Sequence, residues 1–320
     1  MRGTRITALA TALLAGALAL SACSGSSGST SSSDGTIRLA LNNTNDSLAV
    51  LVAQQQGFFA KHGIKGVQTT TLNDITLVPS LLGKQYDLGF SVAPIMLRAS
   101  SSGVPLVAVS GNNGDSPEDQ SVQIFVRPDI TDVKQLRGKR IGSPTLTGNI
   151  NIATKAWLSK NGVDPAAEQF VQVPTPNMID ELKAGQVDAV EVINPFITVG
   201  KQAGMRSLGD PERALSPNYL GGTYWVATKD WTQANPQLAD GFKAAIQDAA
   251  QWIKGNTDGA YAASAAYTKV TAEQAKKSPL GEFTTEVSEG DLKIWGDAMK
   301  QFGGFGGTVD YSKLVYSGSK

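Results

Sequence analysis

Residues 36–57 read TIRLALNNTNDSLAVLVAQQQG, and their pattern sets the architecture expected for the rest of the chain. Apolar side chains alternate with other residues in the first six positions, so Ile37, Leu39 and Leu41 share one face, as in a β-strand. A polar loop follows, and from Leu48 the apolar residues recur at helical spacing until a glycine ends the run. The segment therefore predicts a strand, a polar loop and a helix.

The same alternation of strand and helix continues along the chain to about residue 208. Strands that alternate with helices of about ten residues predict a mostly parallel sheet covered by helices on both faces. Ligands bind such sheets beyond the carboxyl ends of the strands. The binding loops are therefore expected after Leu41, Phe90 and Ser143, and the C-terminal part is predicted to be mainly helical.

The composition excludes several classes of protein. The 320 residues, 41% of them hydrophobic, are enough for two lobes or for one large α/β unit. The 28 basic and 28 acidic residues cancel, so no long-range field would draw the protein to nucleic acid. The single cysteine excludes an internal disulfide and a zinc site built on cysteines. The single histidine, His62, follows a predicted helix, where a solvated cation is favoured over a catalytic base, so we expect no enzyme activity, cofactor or metal.

The N-terminus predicts export and lipid attachment. Two arginines precede the apolar run Ile6–Leu20, which is too short to span a bilayer and is typical of a signal peptide, here residues 1–22. The sequence Leu-Ser-Ala-Cys at its end resembles the bacterial lipobox, so Cys23 is the expected lipidation site. The alternative is an ordinary signal peptide with an incidental cysteine. Residues 23–35, rich in Ser and Gly, are predicted to be a flexible tether to the outer face of the cell membrane.

Four segments, in their order and spacing, carry a resemblance to a known family. They are AQQQGFFAKHGI (53–64), GKQYDLGF (83–90), DVKQLRGKRIG (132–142) and AGQVDAV (184–190) with Asn194-Pro-Phe196 behind it. Together they resemble the nitrate/sulfonate/taurine-type family of ABC-transporter substrate-binding proteins, which includes binders of thiamine-pyrimidine precursors. The resemblance implies an α/β fold of the two-lobed periplasmic-binding-protein type (Venus-flytrap, type II) with two hinge crossovers.

On that fold the chain is expected to leave the first lobe and later return to it. Lobe one would combine residues 36–122 with 227–320, and lobe two would be residues 127–221. The hinge strands would be residues 123–126 and 222–226. Closure of the lobes around a ligand would then be a hinge motion.

The resemblance implies an extracytoplasmic solute-binding lipoprotein of an ABC importer. Its ligand would be a sulfonate, a related oxyanion or a heterocyclic precursor, and its partners the permease and the ATPase of the importer. We expect a monomer that meets the membrane only through its lipid anchor and does not bind nucleic acid. The alternative is a lipid-anchored ligand sensor or a pyrimidine-synthase-like enzyme on the same fold, although the cysteine-rich motif of those synthases is missing.

The ligand site is expected between the lobes, in loops where backbone amides at helix starts suit anionic groups. The same residue types also form turns and caps in any protein. The expected ligand contacts are Asn43, Asn45, Asp46, Ser47, Ser91, Ala93, Thr145, Thr147, Gly148, Asn149, Asn194, Phe196 and Tyr224.

The segment around Asn194 departs from the family pattern, because many relatives have an aromatic or acidic residue before the proline. Taurine specificity is therefore not expected, since an amine-bearing ligand would require a carboxylate in the cleft. Glu191 is one candidate, provided that strand alternation does not turn it away. The aromatic residues Phe196, Tyr219, Tyr224 and Trp225 offer either a wall for a ring or ordinary core packing.

Overall fold

The computed structural model describes residues 34–318. The predicted signal peptide, the lipidation site Cys23 and most of the predicted tether lie outside the described residues. Along residues 34–318, no helix combines the length and the apolar character that crossing a membrane requires.

Strands and helices alternate through the first two thirds of the described chain, and helices dominate the rest. The strands are β1 (Thr36–Leu41), β2 (Gly66–Thr71), β3 (Leu88–Val92), β4 (Leu106–Gly111), β5 (Asn113–Asp115), β6 (Val122–Val126), β7 (Arg140–Ser143), β8 (Gln169–Gln172), β9 (Ala189–Ile193), β10 (Arg206–Gly209), β11 (Leu220–Gly221), β12 (Thr223–Thr228) and β13 (Glu282–Phe283). The α-helices are α1 (Leu48–Gln55), α2 (Phe58–Lys61), α3 (Val78–Leu81), α4 (Ala93–Ser101), α5 (Asn149–Lys160), α6 (Met178–Lys183), α7 (Phe196–Gln202), α8 (Lys229–Ala234), α9 (Pro236–Gly255), α10 (Thr257–Thr268), α11 (Ala272–Lys276) and α12 (Glu289–Phe302).

The first sheet has the order β2-β1-β3-β12-β4. Alternation along β1 sends Leu39 into one apolar cluster, with Phe242 of α9, and Ala40 into another, with Trp295 of α12. Helices therefore cover both faces, as predicted. The pairing differs from the prediction in one strand: β1 runs parallel to β2 and β3, but β12 is antiparallel to β3 and β4.

The second sheet has the order β10-β6-β9-β7-β8. It is also packed on both faces: Phe125 and Val192 contact the α6 and α7 side, while Ile124 and Ile141 pack with Trp157 of α5. Strand β7 is parallel to β8 and β9, whereas β6 is antiparallel to β9 and β10. Each sheet therefore contains one strand that runs against its neighbours.

The chain crosses between the two sheets in residues 112–121 and again in residues 210–222, which we call the crossing segments. They contain β5 and β11, which pair with each other and, through β13, form a small third sheet. The predicted hinge strands, residues 123–126 and 222–226, lie almost entirely within β6 and β12. Both are integral to the large sheets because each bonds to strands on both of its sides. The crossings therefore precede the predicted positions.

Local sequence signals set the start and the end of one short helical segment. It begins as a 3₁₀ turn, Ile75–Leu77, capped by the Asp74 side chain, and continues as α3. Gly83 follows it with a φ of 74°, a left-handed conformation that glycine adopts without strain. The C-terminal part of the described chain is mainly helical, as predicted, and its longest helix is α9.

Candidate functional site

A cleft of about 880 Å³, part of it open to solvent, lies between the two large sheets. Its walls come mainly from loops at the carboxyl ends of β1, β2, β3, β7, β8 and β9, where a sheet of this type binds ligands. The crossing segments contribute the remainder. The lining residues are Asn42, Asn43, Thr44, Asp46, Leu72, Asn73, Ile75, Phe90, Val92, Asn113, Gly114, Asp115, Ser121, Val122, Pro144, Thr145, Asn149, Ile150, Pro174, Thr175, Ile193, Glu212, Leu220, Gly222 and Thr223.

Some of the predicted contact residues line this cleft. They are Asn43, Asp46, Thr145 and Asn149. Two neighbours in the predicted loop, Thr147 and Gly148, do not line it. Gly148 is the N-cap residue of α5. The first two residues of that helix, Asn149 and Ile150, line the cleft.

Two buried polar residues of the first loop, Asn45 and Ser47, support its shape instead of lining the cleft. Asn45 and Ser47 are 3% and 0% exposed. The Asn45 Oδ1 accepts a hydrogen bond from Ser264 Oγ at 2.6 Å, and the Ser47 Oγ donates to Asn42 Oδ1 at 2.7 Å. These bonds hold the loop in place behind the lining residues.

Strand alternation explains why two further predicted residues miss the cleft. Phe90 and Val92 of β3 line it, whereas Ser91 between them points to the opposite side. Ala93 is the first residue of α4 and packs in the core. The carboxyl end of β3 therefore contributes Phe90 and Val92 to the cleft wall in place of the expected Ser91 and Ala93.

Three expected contacts in the second half of the chain do not line the cleft, and a nearby residue lines it instead. Ile193 lines the cleft, while Asn194 is buried with its Nδ2 donating to a backbone carbonyl, and Phe196 packs in the core. Thr223 lines the cleft, while Tyr224 is 1% exposed and packs with the α12 side of the first sheet. The aromatic side chains of Phe196 and Tyr224 therefore do not form a cleft wall against which a ligand ring could stack.

The aromatic side chain of Trp225 has a structural place as well. It is fully buried and meets Phe90 and Phe242 edge to face, at centroid distances of 5.8 and 5.9 Å. Its Nε1 donates to Asn112 Oδ1 at 3.0 Å. Of these three rings only Phe90 reaches the cleft lining.

Of the two carboxylates considered from sequence, Asp46 faces the cleft and Glu191 does not. Glu191 is fully buried, accepts a hydrogen bond from the Ser143 hydroxyl, and has a pKa raised by burial to about 7. Asp46 Oδ2 accepts from Asn42 Nδ2 at 2.9 Å and from Thr44 Oγ1 at 2.8 Å. Burial raises the pKa of Asp46 above its ordinary value, although these two hydrogen bonds act to lower it.

The sequence reasoning missed the residues of the crossing segments. Residues 113–115 have no strand pattern in the sequence, but Asn113–Asp115 is buried as β5 because it pairs with β11 and β13. Asp115 is 1% exposed and lines the cleft. It accepts hydrogen bonds from the Ser121 hydroxyl at 2.9 Å and from Arg213 Nη2 at 2.8 Å.

Glu212 is the second missed acid. It is 3% exposed, lines the cleft and accepts a hydrogen bond from Asn149 Nδ2 at 3.2 Å. Its pKa is raised well above the ordinary value by burial and by the neighbouring carboxylates of Asp115 and Asp210. Arg213 serves both of those neighbours, since its Nε donates to Asp210 Oδ2 at 2.7 Å. Asp115 and Arg213 lie 98 positions apart, so no local sequence pattern predicts their ion pair.

Neither the histidine nor a metal-binding group contributes to the cleft in the part of the chain that is described. His62 Nε2 lies 2.8 Å from Asp248 Oδ2 and is not among the lining residues of the cleft. Within residues 34–318 no group of His, Cys, Asp and Glu is arranged to hold a metal ion. The cleft offers hydrogen-bonding groups, carboxylates and apolar surface, which are means of binding.

Comparison with solved structures shows the fold. The alkanesulfonate-binding protein SsuA of Xanthomonas axonopodis pv. citri, solved with MOPS bound, superposes with a TM-score of 0.72 at 16% identity, over 88% of this chain and 95% of that one. The periplasmic nitrate-binding protein NrtA of Synechocystis PCC 6803 superposes with a TM-score of 0.73 at 15% identity, over 88% and 85%. The predicted two-lobed α/β fold is confirmed.

Comparison of sequences gives the family. A putative thiamine biosynthesis protein of Haemophilus influenzae is 27% identical over 230 residues, 69% of each chain. The nitrate/nitrite binding protein NrtA of Nostoc is 23% identical over 65% of this chain, and the alignment spans 51% of the length of that relative. The model of the family described as NMT1/THI5 like matches residues 44–260. The resemblance read from the sequence motifs is thus confirmed, and the chain belongs to the NMT1/THI5-like family.

Proposed function

We propose that the protein is the substrate-binding component of an ABC importer, which captures a small molecule in the cleft and delivers it to a permease and its ATPase. The observation that carries this proposal is the cleft itself, built from both large sheets, in a fold shared with proteins named for binding alkanesulfonate and nitrate. A cleft between two lobes encloses a ligand when the lobes approach each other.

The lining supports capture by contacts from both sides. Asn43 and Asp46 follow β1 of the first sheet, whereas Thr145, Asn149 and Thr175 follow strands of the second sheet. A ligand that bonds to both sides favours the closed arrangement, and the permease would recognise that population. We propose that the lobes are residues 36–111 with 223–320 and residues 122–209, and that the crossing segments form the hinge in place of the expected hinge strands 123–126 and 222–226.

We propose binding without turnover. The lone histidine of the chain pairs with Asp248 and does not line the cleft, and the carboxylates that do line it are held by hydrogen bonds. A receptor must hold its ligand unchanged, so the recovered ligand should have the same mass as the ligand that was added.

We also propose that the protein is held at the outer face of the membrane by lipid on Cys23. The support is the sequence Leu-Ser-Ala-Cys that ends the predicted signal peptide, followed by a Ser- and Gly-rich tether. A C23A variant should move from the membrane fraction to the soluble extracytoplasmic fraction, whereas S24A should stay with the membrane. An unchanged distribution of C23A would contradict the lipid anchor.

The importer proposal is tested by reconstitution of the permease and its ATPase in liposomes. The ligand-loaded protein should increase ATP hydrolysis and ligand uptake. An N149A variant, which removes a cleft side chain, should require more ligand for the same stimulation. N256A, a matched change at an exposed position, should behave as the parent. A protein that binds ligand but leaves ATP hydrolysis unchanged would contradict the proposal.

A further inference from the structure

The cleft carries carboxylates and no cationic side chain among its lining residues in the described chain. Asp46 comes from the loop after β1, and Asp115 and Glu212 come from the two crossing segments. Arg213 contacts Asp115 from behind the lining and is shared with Asp210, so one guanidinium serves two acids. Every ionisable side chain that lines the cleft in the described chain is therefore an acid, so ionisation gives the wall negative charge and no positive charge.

An unpaired acceptor in the same wall is an independent observation. Asn113 is 5% exposed and lines the cleft, and its Oδ1 has no hydrogen-bond partner in residues 34–318. A buried carbonyl oxygen without a donor costs free energy, which a ligand N–H group in the cleft would recover. Asn113 Oδ1 is therefore suited to accept a hydrogen bond from a donor group on the ligand, as the carboxylates are.

Acidic residues in a cavity next to the cleft add to the negative electrostatic potential of the cleft. A neighbouring cavity shares Asn113 and Thr223 with the cleft, and its wall includes Glu282, Glu286 and Asp291. Fields from charges of one sign add inside a recess with walls of low dielectric constant. An anion that entered the cleft would meet repulsion from both the lining and this second group of acids.

The lining also includes neutral polar residues and an apolar part. Phe90, Val92, Ile150, Ile193 and Leu220 contribute side chains that suit the carbon skeleton of an organic compound and not a bare inorganic ion. The site therefore combines acceptors for N–H groups with a surface for an apolar body.

From these features we propose that the ligand is a small organic cation that donates N–H hydrogen bonds, such as an amine or amidine, and is not an oxyanion. This inference rests on the proposed function. It replaces the expectation that backbone amides at helix starts would select an anion, because the side-chain charges of the cleft have the opposite preference.

The test uses nearly isosteric probes that differ in charge and in hydrogen-bond donors, measured by titration calorimetry on the full chain. One set is benzamidine, benzamide and benzoate, and a smaller set is acetamidine, acetamide and acetate, with ethanesulfonate and nitrate added as oxyanions. In each set we expect the amidine to bind at least tenfold more tightly than its carboxylate. D46N should reduce that ratio several-fold, whereas D297N, at an exposed aspartate, should leave it unchanged.

The outcomes separate this inference from the importer proposal. Tighter binding of a carboxylate, sulfonate or nitrate, a ratio unchanged by D46N, or no amidine binding would each overturn the cation inference. Stimulation of the ATPase by an anion would do so while leaving the importer proposal intact. Amidine binding without stimulation would leave the cation inference standing and overturn the importer proposal. Urea unfolding of D46N establishes that a changed ratio does not arise from a misfolded cleft.

Discussion

Replacement of Asn112 by alanine should destabilise the protein and loosen the cleft at the same time. Asn112 is 1% exposed and joins the core to the first cleft loop: its Oδ1 accepts from Trp225 Nε1 at 3.0 Å, and its Nδ2 donates to the Asp46 carbonyl oxygen at 2.8 Å. The N112A variant removes both bonds and leaves their partners in place.

The magnitude follows from the burial of those partners. Trp225 is fully buried, so its N–H would lose its partner with no access to water, at a cost of about 1 to 3 kcal/mol. Asp46 is partly exposed and its carbonyl can recover a water, so its loss adds about 1 kcal/mol. We expect N112A to reduce the free energy of unfolding by about 2 to 4 kcal/mol, a large share of the about 5 to 15 kcal/mol typical of domains.

Urea unfolding measures the change, with N256A as the matched control at an exposed asparagine that also donates one side-chain bond. N256A should cost less than about 1 kcal/mol. W225F removes the indole N–H together with the five-membered ring, so the single variant also loses packing. The double variant with N112A should still lose less than the sum of the single losses, because the two side chains share one bond. A loss below about 0.5 kcal/mol for N112A, or strict additivity with W225F, would refute the reasoning.

Further predictions concern a buried acid, a crowded glycine and the cation behind the cleft. Burial raises the pKa of Glu191 to about 7, so the folded protein retains a proton that the unfolded chain releases, and stability falls as pH rises from about 4.5 to 7. The loss of unfolding free energy at about pH 8 relative to about pH 5 should be on the order of 3 kcal/mol. E191Q should abolish this loss, as measured by urea unfolding at the two pH values. A Cβ on Gly111 would lie 2.1 Å from a backbone carbonyl oxygen, so G111A should cost about 1 to 3 kcal/mol in the same assay, whereas G306A, with open space around it, should be neutral. R213M leaves the buried carboxylates of Asp115 and Asp210 without their cation and should cost about 3 to 5 kcal/mol. The cost should be less at about pH 5 than at pH 8, because burial raises the pKa of Asp210 to about 7 and this carboxylate takes up a proton as pH falls; equal losses at both values would contradict the pairing.

The parts of the fold that the sequence predicts are those fixed by local patterns. The alternation in residues 36–41, the helical spacing after Leu48 and the glycine at position 83 specify elements without reference to distant residues. The rule that ligands bind at the carboxyl ends of strands then located the loops that hold Asn43, Asp46 and Thr145.

The remaining lining residues depend on pairings between distant parts of the chain. Whether Phe90 or Ser91 faces the cleft depends on the orientation of β3 in its sheet, and a shift of one residue exchanges the two faces. Residues 113–115 contain no strand pattern, and they are buried only because β11 and β13 pair with them. Single-sequence patterns carry no information about such partners.

Two of the acids of the cleft lie in the crossing segments, which we propose as the hinge. The loops at the strand ends supply mostly neutral polar side chains, whereas Asp115 and Glu212 lie in the two crossing segments. The ion pair between Asp115 and Arg213 also joins one crossing segment to the other, at 2.8 Å. A cation bound beside these acids would relieve repulsion where the lobes must bend, so its binding energy would act directly on closure, and an anion at the same place would oppose it. Selection of the ligand by charge and closure of the cleft would then be one electrostatic event.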